Sequence, residues 1–244
     1  MPEELNSTVA PHACKSLPAG LCTEIFPNLT LGPIDSVEIY RHIGYPRDTA
    51  PASRIEERIA HIVAEALPCL KPRGLFTIYE VSQQAAHSLK LDNTTISGNI
   101  GEYLEHADRA AVFAVTVGEE ITLLAELAAK DGDALAALVI DAAGSCAVEG
   151  AADALMLHLR RHLHEGQELT LRYSPGYCGM DISQQRKLFQ LVPASSVGVT
   201  LTPSMLMHPL KSISGLVGLA PKEAVSAYRS PCDLCQRVGC HMRR

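Results

Sequence analysis

Residues 133–164 read as one long helical tract, and no other stretch of the chain limits the fold as much. The tract is rich in alanine, which lets other backbone approach it closely. A bend in it, if there is one, is expected at Gly144 or Gly150. Upstream, 110–117 is a continuous apolar run of strand length, consistent with a buried strand. Gly118 then opens a helix that carries Glu119 and Glu120 in its first turn, where the helix dipole favours carboxylates.

The other elements mix helix and strand without a regular βαβ rhythm. Ile55, Ile59, Ile62, Val63, Ala66 and Leu67 lie on one stripe of an amphipathic helix, with Ser53 as the expected N-cap and Pro68 as its limit. Strands are expected at 74–81, 89–96 (broken by an Asp92-Asn93 turn), 169–173, 197–202 and 213–219, and short helices at 101–107, 184–191 and 222–229. This is an α+β pattern, with an antiparallel or mixed sheet flanked by helices. Residues 1–34, rich in Pro, Ser, Thr and Asn, read as an N-terminal extension. Residues 35–220 read as the α+β domain and 221–244 as a Cys-rich C-terminal tail.

Composition narrows the function. At 47% hydrophobic and 20% charged, the chain can build a core. The net charge is −6 and the basic residues are scattered, which argues against a nucleic-acid groove. Trp is absent and aromatics make up 5%, so platforms for stacking single strands are poorly supplied. No run of about 20 apolar residues is present, so no membrane span and no membrane partner are expected. The start Met1-Pro2-Glu3-Glu4 lacks the basic and apolar regions of a secretory signal, so the expected location is cytoplasmic. Eight cysteines in such a chain point to reduced thiols or a metal site rather than disulfides.

Two constellations carry chemistry. The first is Arg172-Tyr173-Ser174-Pro175-Gly176-Tyr177, an Arg at the end of a strand-like run followed by a Pro-Gly-Tyr turn. Arg grips a carboxylate with two parallel hydrogen bonds, Gly admits close backbone approach, and Tyr gives a flat wall with one hydroxyl. The set suits a small zwitterion that carries a flat base. The second is Cys232-x-x-Cys235-x-x-x-x-Cys240-His241, whose thiolates at a two-residue gap can share a metal. Cys178, Cys14 and Cys22 are candidates for a fourth ligand, and both zinc and an iron–sulfur cluster fit the donor type.

In order along the chain, Arg172 to Tyr177, the Gln185-Arg186-Lys187-Leu188-Phe189-Gln190-Leu191 helix, Val197-Gly198-Val199-Thr200-Leu201-Thr202 and Ser212-Ile213-Ser214-Gly215 resemble the reactivation domain of cobalamin-dependent methionine synthase. Upstream, Ile39-Tyr40-Arg41-His42-Ile43-Gly44-Tyr45, Lys71-Pro72-Arg73, Thr116-Val117-Gly118 and the segment from Asp141 to Glu149 look like stand-alone members of that family. The likeness covers roughly 35–220 as a set. It implies the activation-domain fold, binding of S-adenosylmethionine (AdoMet), and service to methionine biosynthesis. In that chemistry, inactive cob(II)alamin receives one electron from a flavodoxin- or ferredoxin-like donor and a methyl group from AdoMet. The cobalamin sits on a partner, a methionine synthase core or another corrinoid-binding protein, and the chain acts with that partner in a methyltransferase rather than as a catalyst alone.

By this resemblance Arg172 binds the AdoMet carboxylate, while Ser174, Gly176 and Tyr177 contact the adenosyl part. A carboxylate is needed for the ligand's ammonium and sulfonium charges. Glu149 is the first candidate, with Asp141 and Asp153 as alternatives close to the same helix face. Relatives carry an acidic residue and an aromatic in the penultimate loop. Here that loop reads Thr202-Pro203-Ser204-Met205, so Ser204 is the remaining polar contact. There is no Asp-x-His-x-x-Gly stretch for a His-ligated cobalamin and no glycine-rich nucleotide loop. Two other functions answer to the same residues: a corrinoid-reducing activator whose tail holds zinc or an iron–sulfur cluster, and a docking subunit that has lost AdoMet.

Overall fold

A computed structural model describes residues 15–17, 21–46, 49–104, 106–177, 179–225 and 238. Its elements in chain order are β1 (Lys15–Leu17), β2 (Leu21–Phe26), α1 (Ser36–His42), α2 (Ser53–Ala66), β3 (Arg73–Ala85), β4 (Ser88–Leu91), β5 (Thr94–Ser97), α3 (Ile100–Tyr103) and β6 (Arg109–Thr116). They continue with α4 (Glu120–Lys130), α5 (Ala134–Leu159), β7 (Gln167–Leu169), α6 (Gln185–Leu191), β8 (Thr200–Leu201), β9 (Met207–His208), β10 (Ser212–Pro221) and α7 (Lys222–Val225).

The apolar run expected as a buried strand is β6, the middle of the main sheet, whose order is β1-β2-β3-β6-β10-β7. Every pairing among the described strands is antiparallel, so of the two sheet types expected the mixed one is not realised. Successive side chains alternate between two cores. Phe76, Ile78, Ala111, Phe113, Val115, Val217 and Leu219 face a layer built on α5, α2 and α1. Leu75, Tyr79, Ala110, Val112, Ala114 and Leu216 face the other side, closed by the β4–β5 hairpin, α3 and α6. Burial on both faces explains why β6 reads as an unbroken apolar run.

α5 runs through Gly144 and Gly150 without interruption. By length and composition it could cross a membrane, contrary to the reading that no such run exists. Here it is a core helix with eleven buried residues, among them Ala143, Ala147 and Ala151. The small side chains bring it close to the sheet, where a Cβ on Gly74 would stand 3.3 Å from Leu155. Gly144 sits in a tight spot, because a Cβ there would lie 3.2 Å from the Ile121 and Lys211 side chains.

Several expectations are corrected. β2, inside the segment 1–34 read as an extension, is a full strand of the main sheet paired to β3. Ser53 is the first residue of α2 and the N-cap is Ala52, with no side-chain cap. Side-chain caps form at α1, where Asp35 Oδ1 accepts from Val37 N–H at 2.9 Å, and at α5, where Asp133 Oδ1 accepts from Ala136 N–H at 3.0 Å. Of the strand expected at 197–202 only Thr200–Leu201, β8, forms; it follows a 3-10 turn, 194–197, that ends at Gly198, φ +79°. Cys22 is disulfide-bonded rather than reduced. Cys69 and Cys146 are not in disulfides.

Two imidazoles make stability depend on pH. Burial, the larger cause, holds His158 and His42 below the ordinary 6.5, with Arg161 adding to the effect on the first and Lys211 to that on the second. The unfolded chain takes up protons at about 6.5 and the folded one only lower, so stability is full above 6.5 and falls as the pH drops through the folded values. The urea midpoint is expected to fall from about pH 7.5 to about pH 5, and the fall to shrink in a His42→Asn, His158→Phe double variant. An equal fall in both proteins would exclude these imidazoles as its source.

Candidate functional site

Arg172 owes its position to an irregularity in the sheet edge. Thr170 and Gly218 pair at one point and Tyr173 and Leu216 at the next, so three residue steps face two. This is β-bulge geometry, which re-aims side chains next to sites. Tyr173 points into the core and stacks on Tyr103, with ring centroids 4.8 Å apart. Arg172 points the other way, toward α5. Its Nη2 donates to Glu149 Oε2 at 3.1 Å and lies 3.0 Å from Asp153 Oδ1. Its Nη1 is buried and has no hydrogen-bond partner among the described residues.

Glu149 and Asp153 stand one turn apart on α5 and form the wall of a groove of about 220 Å³. The opposite wall comes from 31–35 and α1, including Asp35, Glu38 and His42. Four carboxylates thus border one hollow. Arg41, 2.7 Å from Glu38, and Arg172, which reaches Glu149 and Asp153 without itself lining the groove, are ion-paired to them. Burial holds His42 below its ordinary value, which disfavours its charged form. Such a groove attracts cations.

Gly150 lines the groove in the middle of α5, and nothing lies within 4 Å of where its Cβ would stand. A mid-helix glycine costs about 0.5–1 kcal/mol relative to alanine. Packing does not require it. Gly150→Ala is therefore expected to raise stability by about that amount in denaturant titration, while the added methyl enters the groove.

Of the residues expected at a site, Arg172, Glu149 and Asp153 come together. Asp141 does not join them: its Oδ1 is 2.7 Å from Lys211 Nζ, which also donates to Ser145 Oγ. Ser174, Gly176 and Tyr177 form the turn after Arg172. Gly176 has φ +92°, which favours glycine, and its N–H donates to Met180 O at 2.8 Å. The Tyr177 side chain is largely exposed. Ser204 lies on the β8–β9 hairpin, its Oγ 3.0 Å from Thr202 Oγ1, and does not line the groove. Cys232, Cys235 and Cys240, like Cys178 and Cys14, lie outside the described residues. Asp35, Glu38, His42, Cys146 and Gly150 line the groove without having been singled out as a site. The signal for Asp35 was local, an Asp-Ser helix start whose meaning is a cap.

The fold and site define an antiparallel α+β module with an acidic groove beside a fixed guanidinium. The family model for the vitamin B12 dependent methionine synthase activation domain matches residues 50–228. The chain belongs to that family. Among solved structures, the MetH reactivation domain bound to AdoHcy is similar in fold, with a TM-score of 0.60 at 17% identity, over 87% of this chain and 81% of that one. No curated protein sequence matches the chain.

Proposed function

We propose that this chain binds AdoMet in the groove between α1 and α5 and presents its methyl group to a corrinoid held by another protein. The observation that carries the proposal is the charge pattern around Arg172. Its Nη1 is buried without a partner among the described residues, while Glu149 and Asp153 stand beside it. An unsatisfied buried donor costs about 1–3 kcal/mol, more when charged. An amino-acid end complements this arrangement: its carboxylate satisfies Nη1 and its ammonium meets the two acids. The remaining carboxylates favour the sulfonium, and the family membership and the AdoHcy-bound fold relative support the choice of ligand.

The residues fit a positioning role. A corrinoid on the partner, reduced by one electron from a flavodoxin- or ferredoxin-like donor, would supply the nucleophile for the methyl group. Arg172 and the acids hold the amino-acid end, and the 174–177 turn supplies backbone and a ring for the base. The sulfur keeps the electron pair of the broken bond and leaves as a neutral thioether. No protein acid or base is needed, and rate comes from orientation.

Calorimetry tests the reading. AdoMet is expected to bind more tightly than AdoHcy by at least about fivefold, since the sulfonium adds one charge next to carboxylates, about 1 kcal/mol at 4 Å in water. The preference should shrink with salt. No binding at millimolar AdoMet would leave the docking role instead.

A further inference from the structure

We infer that Cys22, Glu24 and His162 form a zinc site that is closed while Cys22 is in a disulfide and opens when it is reduced. Cys22 and Glu24 alternate along β2 and therefore share one face of the strand. That face looks onto the end of α5, where the chain continues into a 3-10 turn containing His162. The His162 ring is set edge-on against Phe76, with centroids 5.5 Å apart at 80°. Its Nε2 lies 2.7 Å from Glu24 Oε1. The donor atoms of all three residues lie within 4.8 Å of one another, and all three residues are partly buried.

A His–Glu pair alone is an ordinary tie between strand and helix. The Cys22 sulfur, which the disulfide engages, adds a third donor at the same point. Sulfur, imidazole nitrogen and carboxylate oxygen are the three donor types zinc takes, at about 2.3, 2.0–2.1 and 2.0–2.2 Å. Donors on one tetrahedral ion stand roughly 3.3–3.6 Å apart, so a 4.8 Å cluster closes by side-chain rotation of about 1 Å. Water completes the fourth position.

The disulfide sets the condition. A dithiol reductant gives two electrons to the disulfide, closes its own disulfide, and leaves Cys22 as a thiol. Zinc then binds the thiolate and releases its proton to solvent. Oxidation reverses the sequence and expels the ion. This site is separate from the α1–α5 groove, and it does not rest on AdoMet binding.

The test uses the full chain with those of Cys232, Cys235 and Cys240 that peptide mapping shows not to bridge to Cys22 changed to Ser, so that the tail cannot contribute. Zinc alone is the probe, measured after reduction with a thiol-free phosphine and again in the oxidised protein. One zinc per chain is expected in the reduced form and none in the oxidised form. Cys22→Ser and His162→Gln should each weaken zinc by more than about 100-fold, the upper end for losing even an outer-shell partner. Cobalt in place of zinc should give a thiolate-to-metal absorption that Cys22→Ser removes, with unchanged circular dichroism showing that the fold is kept. No zinc in the reduced protein, or full zinc binding in both variants, would overturn the assignment.

Discussion

Arg172→Ala is expected to lower AdoMet affinity by roughly 10- to 100-fold, the loss of one or two hydrogen bonds to a charged group. The argument runs from the bulge at 171–172, which turns this side chain toward α5, to the unpartnered Nη1 that a ligand carboxylate would satisfy. Glu149 and Asp153 are largely exposed, so releasing them should change stability by less than about 1 kcal/mol. Arg172→Lys should recover little affinity, because an ammonium cannot make the paired contact of a planar guanidinium. Calorimetry and urea titration on the same samples separate the two effects. Unchanged AdoMet affinity in the alanine variant would remove Arg172 from the site.

The second large effect is expected at Gly215, which touches no ligand. A Cβ there would stand 2.5 Å from Tyr173 O, 3.1 Å from Ser174 Oγ and 3.1 Å from Phe113 in the core. The closest of these is backbone, so the edge segment carrying Arg172 must move away from β10. Gly215→Ala should cost about 1–3 kcal/mol, the range for overpacking a core. It should also weaken AdoMet binding, because the bulge that aims Arg172 is pushed off its pairing positions. Gly150→Ala provides the contrast, since it too reaches the groove but should stabilise the helix. A Gly215→Ala protein with normal stability would mean that the sheet edge is looser than this packing requires.

Much of the architecture was legible because it is written in local pattern. The 110–117 run is apolar because β6 is covered on both sides, and the Ala-rich tract is small because α5 lies close to the sheet. Strands 74–81 and 213–219 appear within β3 and β10. What failed locally was decided by distant contacts. The 197–202 run has strand residues, yet the chain turns at Gly198 beside Arg73, well over a hundred residues earlier. Leu21–Phe26 was hidden in a polar, proline-rich segment, and only pairing with β3 makes it a strand.

The site followed the same division. Arg172 and Glu149 were legible as an Arg before a turn and an acid amid small residues, and the structure brings them to 3.1 Å. The choice between Asp141 and Asp153 was not legible, because it depends on Lys211 taking the first. Asp35, Glu38 and His42 were invisible as a groove wall, since they meet α5 from more than a hundred positions away.

The most direct measurement is a crystal structure of the chain with AdoMet. The account predicts the ligand in the α1–α5 groove, its carboxylate on Arg172 Nη1 and its ammonium within hydrogen-bond reach of Glu149 or Asp153. AdoMet bound elsewhere, with Arg172 still held only by its own two carboxylates, would contradict it.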